Sequence, residues 1–229
     1  CSGIFLIDPL TGIGELLVGS GDVIDGVTLN NADYASINDS GDLIFMGGYG
    51  ENPDFYTALC HMDLGTGETQ ILVSSSDVID DLILRDVMDS GVTDSGDVVF
   101  YGQSSDNLGG VFHLNLITGE SRLLLANGET FDGRILEFAA WLAINDSGDI
   151  VFFGGADGIM GCFKTSLTGG PDEILVAMGD IVGGTEIFFA HMPGNNDLGD
   201  LVFAGASMTG SGIFFVEGAA PPNPEAMLE

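Results

Sequence analysis

The chain is nearly devoid of basic side chains: Lys and Arg number 4 among 229 residues, against 35 Asp and Glu, for a formal net charge of −31. Affinity for phosphate comes from clustered Lys and Arg, and Arg85, Arg122, Arg134 and Lys164 form no cluster. Nucleic acid and anionic lipid surfaces are thereby excluded as partners. Cysteine is scarce too, and Cys1, Cys60 and Cys162 are too few for a disulfide framework. No apolar run approaches the roughly 20 residues that a helix needs to span a bilayer. A sustained helical period is absent, residues 136–143 being the one tempting stretch. There is no Gly-x-Ser-x-Gly elbow for a serine nucleophile, and the 36 glycines have no Lys beside them of the kind a phosphate-binding loop uses. Disorder is excluded as well, because 45% of the residues are hydrophobic.

What the chain does have is one phrase, four times over. Asn38-Asp-Ser-Gly-Asp-Leu-Ile-Phe45 recurs as Thr93 to Phe100, Asn145 to Phe152 and Asn196 to Phe203, and its glycines Gly41, Gly96, Gly148 and Gly199 lie 55, 52 and 51 residues apart. The register reaches further. Phe5, Cys60, Phe112, Phe163 and Phe214 share the spacing, as do Val18, Val73, Leu125 and Val176, and the acidic set Asp22, Asp77, Glu129 and Asp180. A period of this length reports stacked or radial supersecondary units.

One unit shows the physics. Trp141 to Asn145 is a short apolar run, Asp146-Ser-Gly-Asp149 is a cluster of turn formers, and Ile150-Val-Phe-Phe153 is β-branched and aromatic, which together make a hairpin. Residues 161–167 and 173–177, joined by a Thr-Gly type of turn, add two more strands. Each repeat therefore supplies four antiparallel strands, here called a to d, and a four-stranded meander of about fifty residues is the blade of a β-propeller. The predicted fold is all-β, a propeller of about four repeats spanning residues 1–218. The Pro/Ala-rich residues 219–229 read as a linker or tail. Strand counting gives c and d, then three complete blades, then a, b and c. That leaves one surplus strand c. The expectation is a displaced terminal strand, a segment of a larger ring, or an edge that pairs with a second chain.

The repeated Asn-x-x-Gly-x-x-x-Phe pattern at 38–45, 145–152 and 196–203, with Thr93 replacing Asn in the second copy, resembles a bacterial tandem-repeat family named for it. Members are exported or surface proteins, often of the PEP-CTERM or choice-of-anchor type. The resemblance implies architecture and a secreted or cell-surface location; it carries no activity and no catalytic residues. The Gly47-Gly48 and Gly154-Gly155 pairs after strand b also look kelch-like.

Candidate chemistry centres on the turns. Asp39, Asp94, Asp146 and Asp197 precede the turn glycine by two, and Asp42, Asp97, Asp149 and Asp200 follow it, an oxygen-rich pattern that suits calcium, the one cofactor for which the sequence offers a place. Asp and Ser also build such turns unaided, through side-chain to backbone hydrogen bonds, and that reading is the favoured one. His61 and His113 share one repeat position with Lys164 and read as strand residues before metal ligands. Cys60 and Cys162 replace apolar residues of other repeats and read as small buried hydrophobes. Tyr34, Tyr49, Tyr56, Tyr101 and Trp141 could line a sugar-binding surface, although for Trp141 a core position is expected. The sequence thus predicts a non-catalytic exported structural or binding module, able to self-associate through an edge strand. The alternatives are a calcium-dependent or glycan-binding surface adhesion module, and a propeller hydrolase using clustered carboxylates.

Overall fold

The computed structural model describes residues 2–51, 54–106 and 108–218; Cys1 and the predicted tail, 219–229, lie outside them. Among the described residues every regular element is a β-strand and every pairing is antiparallel. The chain divides into two compact units, Cys1–Ala126 and Asn127–Glu229.

The first unit opens with a two-stranded sheet, β1 (Gly3–Ile7) and β2 (Gly14–Gly19), which are strands c and d. Two five-stranded sheets follow. One runs in order through β3 (Val23–Ile24), β4 (Val27–Ile37), β5 (Asp42–Glu51), β6 (Asp54–Asp63) and β7 (Thr69–Ser74). The other runs through β8 (Val78–Ile79), β9 (Leu82–Val92), β10 (Asp97–Ser104), β11 (Gly109–Asn115) and β12 (Ser121–Ala126). The second unit holds a third such sheet, formed by β13 (Thr130–Phe131), β14 (Arg134–Ile144), β15 (Asp149–Ala156), β16 (Ile159–Ser166) and β17 (Glu173–Ala177). A small hairpin, β18 (Ile181–Val182) with β19 (Thr185–Glu186), leads to the three-stranded sheet β20 (Phe189–Asn195), β21 (Leu201–Ser207) and β22 (Gly210–Val216). These sheets are the blades of a β-propeller. The strand count is the one read from the sequence, and within its unit β22 ends its sheet with no strand d beside it.

Two features differ from the expectation. Strand a begins earlier than Trp141 and is eleven residues long in each full blade, as in Arg134–Ile144. Ahead of it lies a two-residue strand and a tight turn. The turn residues Asp25-Gly26, Asp80-Asp81, Asp132-Gly133 and Gly183-Gly184 all have positive φ at both positions, the geometry of a type I′ hairpin. The signal was a pair of turn-forming residues at the repeat spacing, Asp-Gly twice, Asp-Asp once and Gly-Gly once.

Strand b forms the heart of each blade. Its apolar run is continuous because both faces are covered, and Leu43 to Gly48 and Ile150 to Ala156 are buried throughout. The motif phenylalanines Phe45, Phe100, Phe152 and Phe203 are at most 1% exposed. Each stands opposite its strand-c landmark: Cys60, Phe112, Phe163 and Phe214. Where both are aromatic the rings stack, with centroids 5.4, 5.7 and 5.3 Å apart. The strand-c ring leans over a glycine two residues past the motif Phe; a Cβ on Gly102 would stand 2.8 Å from the Phe112 ring, and on Gly205 2.8 Å from that of Phe214. Substituting Gly102→Ala should therefore overpack the blade and lower stability by about 1–3 kcal/mol in urea unfolding; an unchanged midpoint would show that the ring has room to move.

Candidate functional site

The four turns of the repeated phrase are the natural place to begin. In the first copy Asn38 accepts the main-chain N–H of Asp42 at 2.8 Å and donates its amide to the Asp42 carboxylate at 2.9 Å, which closes the turn; Asn196 does the same with Asp200. Gly41, Gly96, Gly148 and Gly199 turn the chain at φ between 78° and 88°, a conformation that other residues resist. The turns also bind one another. In the first unit the Asn38 amide donates to the Thr93 carbonyl (2.8 Å), and the Asp39 N–H donates to the Asp94 carboxylate (2.7 Å). In the second unit Asn145 donates to the Asn196 carbonyl (2.7 Å), and the Asp146 N–H to the Asp197 carboxylate (2.9 Å). Partners are one full repeat apart, so these carboxylates join blade to blade.

The second aspartate of each turn takes a donor from strand c or just beyond it. Asp42 receives His61 Nε2 at 2.8 Å, Asp97 receives His113 Nε2 at 2.8 Å, and Asp149 lies 3.6 Å from the Lys164 ammonium. In the fourth copy Phe215 stands at the position of His61, His113 and Lys164, and Asp200 accepts the Gly218 N–H instead, at 2.9 Å. The eight turn aspartates therefore sit within a main-chain and side-chain hydrogen-bond lattice. Among the described residues no three His, Cys, Asp or Glu side chains form a group able to hold a metal ion. Burial disfavours the ionised form of Asp97, but hydrogen bonds from Asn115, His113 and Ser95 outweigh that and hold its carboxyl below the usual aspartate range. Asp200 is also lowered, chiefly by the Gly218 N–H and the Asn196 amide.

Other recurrent acids serve the scaffold. Asp22, Asp77 and Asp180 accept the N–H of Gly19, Ser74 and Ala177 at the end of strand d. Asp25 and Asp80, in the small hairpins, reach across to the N–H of Ile71 and Leu123, both at 2.7 Å. The last pair was missed in the sequence, although its 55-residue spacing was visible. Both described cysteines are buried and unpaired, and burial pushes each thiol up to about 12, so neither is a ready nucleophile.

Strand a behaves differently. Tyr34, Asp89, Trp141 and Met192 occupy one repeat position and all have positive φ, at 52°, 41°, 48° and 51°. At each the pairing with strand b shifts register, so the same bulge recurs with four unlike side chains. Bulges of this kind re-aim a side chain, and a left-handed non-glycine residue persists only where its surroundings enforce it. Trp141 is accordingly half-buried at the bulge and not in the core. In the second unit it heads an aromatic patch: its ring lies 5.3 Å from Phe153 and 5.3 Å from His191, and Phe189 lies 4.9 Å from His191. Met192 is 54% exposed beside it, and His191 Nδ1 is buried with no hydrogen-bond partner. Of the tyrosines, Tyr34 is exposed, Tyr101 is buried, and Tyr49 and Tyr56 stack on one another at 5.6 Å.

No protein-family model and no curated protein sequence matches the chain. Solved structures resemble it in fold. TolB from Acinetobacter baumannii aligns at 12% identity and a TM-score of 0.58, covering 95% of this chain and 49% of that one. A gluconolactonase from Xanthomonas campestris aligns at 12% identity and 0.58, covering 96% and 65%. A chain of a nidogen/laminin complex aligns at 9% identity and 0.57, covering 92% and 66%. The likeness is of β-propeller fold alone, and the chain spans between half and two thirds of the length of these structures.

Because the folded Asp97 is more acidic than an unfolded aspartate, its contribution to stability is complete above the ordinary carboxyl range near pH 4 and is lost as pH falls through the lower folded value. Unfolding midpoints between pH 6 and pH 2 should therefore drop more steeply for the native chain than for Asp97→Asn; parallel curves would contradict the assignment.

Proposed function

We propose that the chain is a non-catalytic, exported binding module whose second unit presents its strand-a bulges, at Trp141 and Met192, to a partner. The observation that carries this is the bulge at Tyr34, Asp89, Trp141 and Met192. Its backbone is constant across repeats while its side chains are not, whereas the turns keep both nearly constant. Variation on a fixed, strained backbone is the pattern expected of a recognition surface. The Trp141, Phe189 and Met192 patch offers flat apolar faces on which a glycan ring or a partner side chain can stack. Export follows from the resemblance to the Asn-x-x-Gly-x-x-x-Phe repeat proteins and suits a charge of −31.

A non-catalytic role is supported by the uses already found for the reactive groups. His61 and His113 are tied to aspartates, the two described thiols are buried, and the carboxylates of Asp94, Asp197 and Asp200 bind main chain. The enzymes among proteins of similar fold, a gluconolactonase and a puromycin-hydrolysing peptidase, are related at 12% and 11% identity and contribute no residues to the argument. Edge pairing is a second element of the reading, favoured by β22, which ends its sheet with no strand d within its unit, and by Ile213 and Phe215 on it, which are 74% and 61% exposed.

Trp141 is the sole tryptophan, so its emission reports on the patch directly. Titration with soluble chitin, cellulose and peptidoglycan fragments, with mass followed by light scattering at two protein concentrations, should give a saturable emission change that Met192→Ser weakens at least about fivefold, and a mass that rises with concentration. Saturable binding untouched by Met192→Ser would move the site elsewhere. Release of new reducing ends would replace the binding reading with a hydrolase.

A further inference from the structure

The aromatic patch of the second unit is wider than Trp141 and its two neighbours. Phe138, Trp141, Phe189 and His191 are each half-buried, and Phe153, at 5% exposure, lies beneath them as a hub. Its ring centroid is 5.3 Å from Phe138, 5.3 Å from Trp141 and 5.2 Å from Phe189. Phe138 covers Gly155 of strand b, where a Cβ would stand 2.5 Å from the ring. The first unit is polar at the corresponding positions: Asn31 and Asp86 stand where Phe138 and Phe189 do, and Asp33 stands where His191 does. Aromatic rings on two successive copies of strand a therefore belong to the second unit alone.

A carboxylate flanks these rings. Pairing with strand b slips between Leu136 and Phe138, so Glu137 is the extra residue of a bulge and opposes Gly155 together with Phe138. Its equivalents in the first unit are engaged: Asn30 donates to the Gly50 carbonyl, and Arg85 pairs with Asp86. Glu137 is exposed and makes no ion pair among the described residues, not even with Arg134 three positions before it. The patch thus joins half-exposed ring faces to a carboxylate that the scaffold does not use.

This combination narrows the ligand. Rings 4.9 to 5.3 Å apart touch one another, so they form an extended face and leave no box to enclose a compact ammonium ion. The bulges at Trp141 and Met192 twist strand a out of the regular pairing that an extended peptide would need. Phe138 and Trp141 are three residues apart, roughly 10 Å of strand, which suits a chain of sugar rings laid flat. An acidic sugar would be repelled by Glu137 and by a net charge of −31, and a neutral one would leave the carboxylate idle. An ammonium is attracted both to a carboxylate and to aromatic faces.

We propose that the patch binds a cationic glycan, a chain of amino sugars with free ammonium groups such as deacetylated chitin. Its pyranose faces lie on Trp141 and Phe189, and one of its ammonium groups pairs with Glu137. This rests on the strand-a reading above and names the ligand of that site.

The test is calorimetric titration of the whole chain, under mildly acid conditions that keep glucosamine charged, with four tetramers: glucosamine, N-acetylglucosamine, galacturonate and lysine. The glucosamine tetramer should bind saturably and at least about tenfold more tightly than each of the others, because only it combines ring faces with positive charge. Trp141→Asn, whose new residue tolerates positive φ, should weaken it at least about tenfold with the circular dichroism unchanged. Glu137→Gln, on an exposed side chain, should cut the preference over N-acetylglucosamine by about threefold. Equal binding of the lysine tetramer, equal binding of the acetylated tetramer, or a preference untouched by Glu137→Gln overturns the cationic-glycan proposal. If the acetylated tetramer still binds and is weakened by Trp141→Asn and Met192→Ser, the strand-a reading stands without it. Absence of any glycan binding, or binding indifferent to both of those variants, removes a glycan from the patch altogether.

Discussion

The structure depends on a hydrogen bond between turns one repeat apart. The main-chain N–H of the first aspartate in one turn is accepted by the carboxylate of the first aspartate in the next, at 2.7 Å for Asp39 to Asp94 and 2.9 Å for Asp146 to Asp197. A sheet end ordinarily leaves main-chain groups to solvent; here, once within each unit, a carboxylate at one fixed place of the repeat satisfies such a group and ties neighbouring blades together. The remaining letters of the phrase follow from that requirement. Asparagine both closes its own turn and donates to its neighbour, glycine supplies positive φ, the second aspartate holds strand c, and phenylalanine fills the blade. The second copy shows what is optional. Thr93 still accepts the Asp97 N–H through its hydroxyl at 3.0 Å, but it has no amide with which to reach a neighbouring carbonyl.

The acidity of the chain has the same origin. Asp22, Asp77 and Asp180 cap strand d, Asp8 and Asp63 accept the N–H groups of the turn after strand c, and Asp25 and Asp80 pin strand d to the small hairpin. Carboxylates repeated in register accumulate charge as a consequence of scaffold geometry. The cost is mutual repulsion, which ions in the medium reduce.

Fold class, strand order and the burial of Phe45, Phe100, Phe152 and Phe203 were legible because turn chemistry and apolar runs are local signals repeated four times. The small hairpins were not, since two-residue strands carry no periodicity, although Asp25-Gly26 and Asp132-Gly133 were readable turn pairs. The bulge of strand a was hidden for a different reason: Tyr, Asp, Trp and Met fall at one repeat spacing but share no side-chain property, and only φ and the shifted register reveal the bulge there. The turn aspartates were read as turn builders with calcium as an alternative; their partners one repeat away required coordinates, because a local sequence pattern cannot name a residue 51 positions distant.

Amide hydrogen exchange at Asp146 tests the central interaction most directly. In the native chain the Asp146 N–H is held by the Asp197 carboxylate, and Asp197→Ala should speed its exchange at least about tenfold while strand b of the same blade, including Phe152, stays protected. An unchanged exchange rate at Asp146, or protection that appears only when calcium is added, would contradict the account.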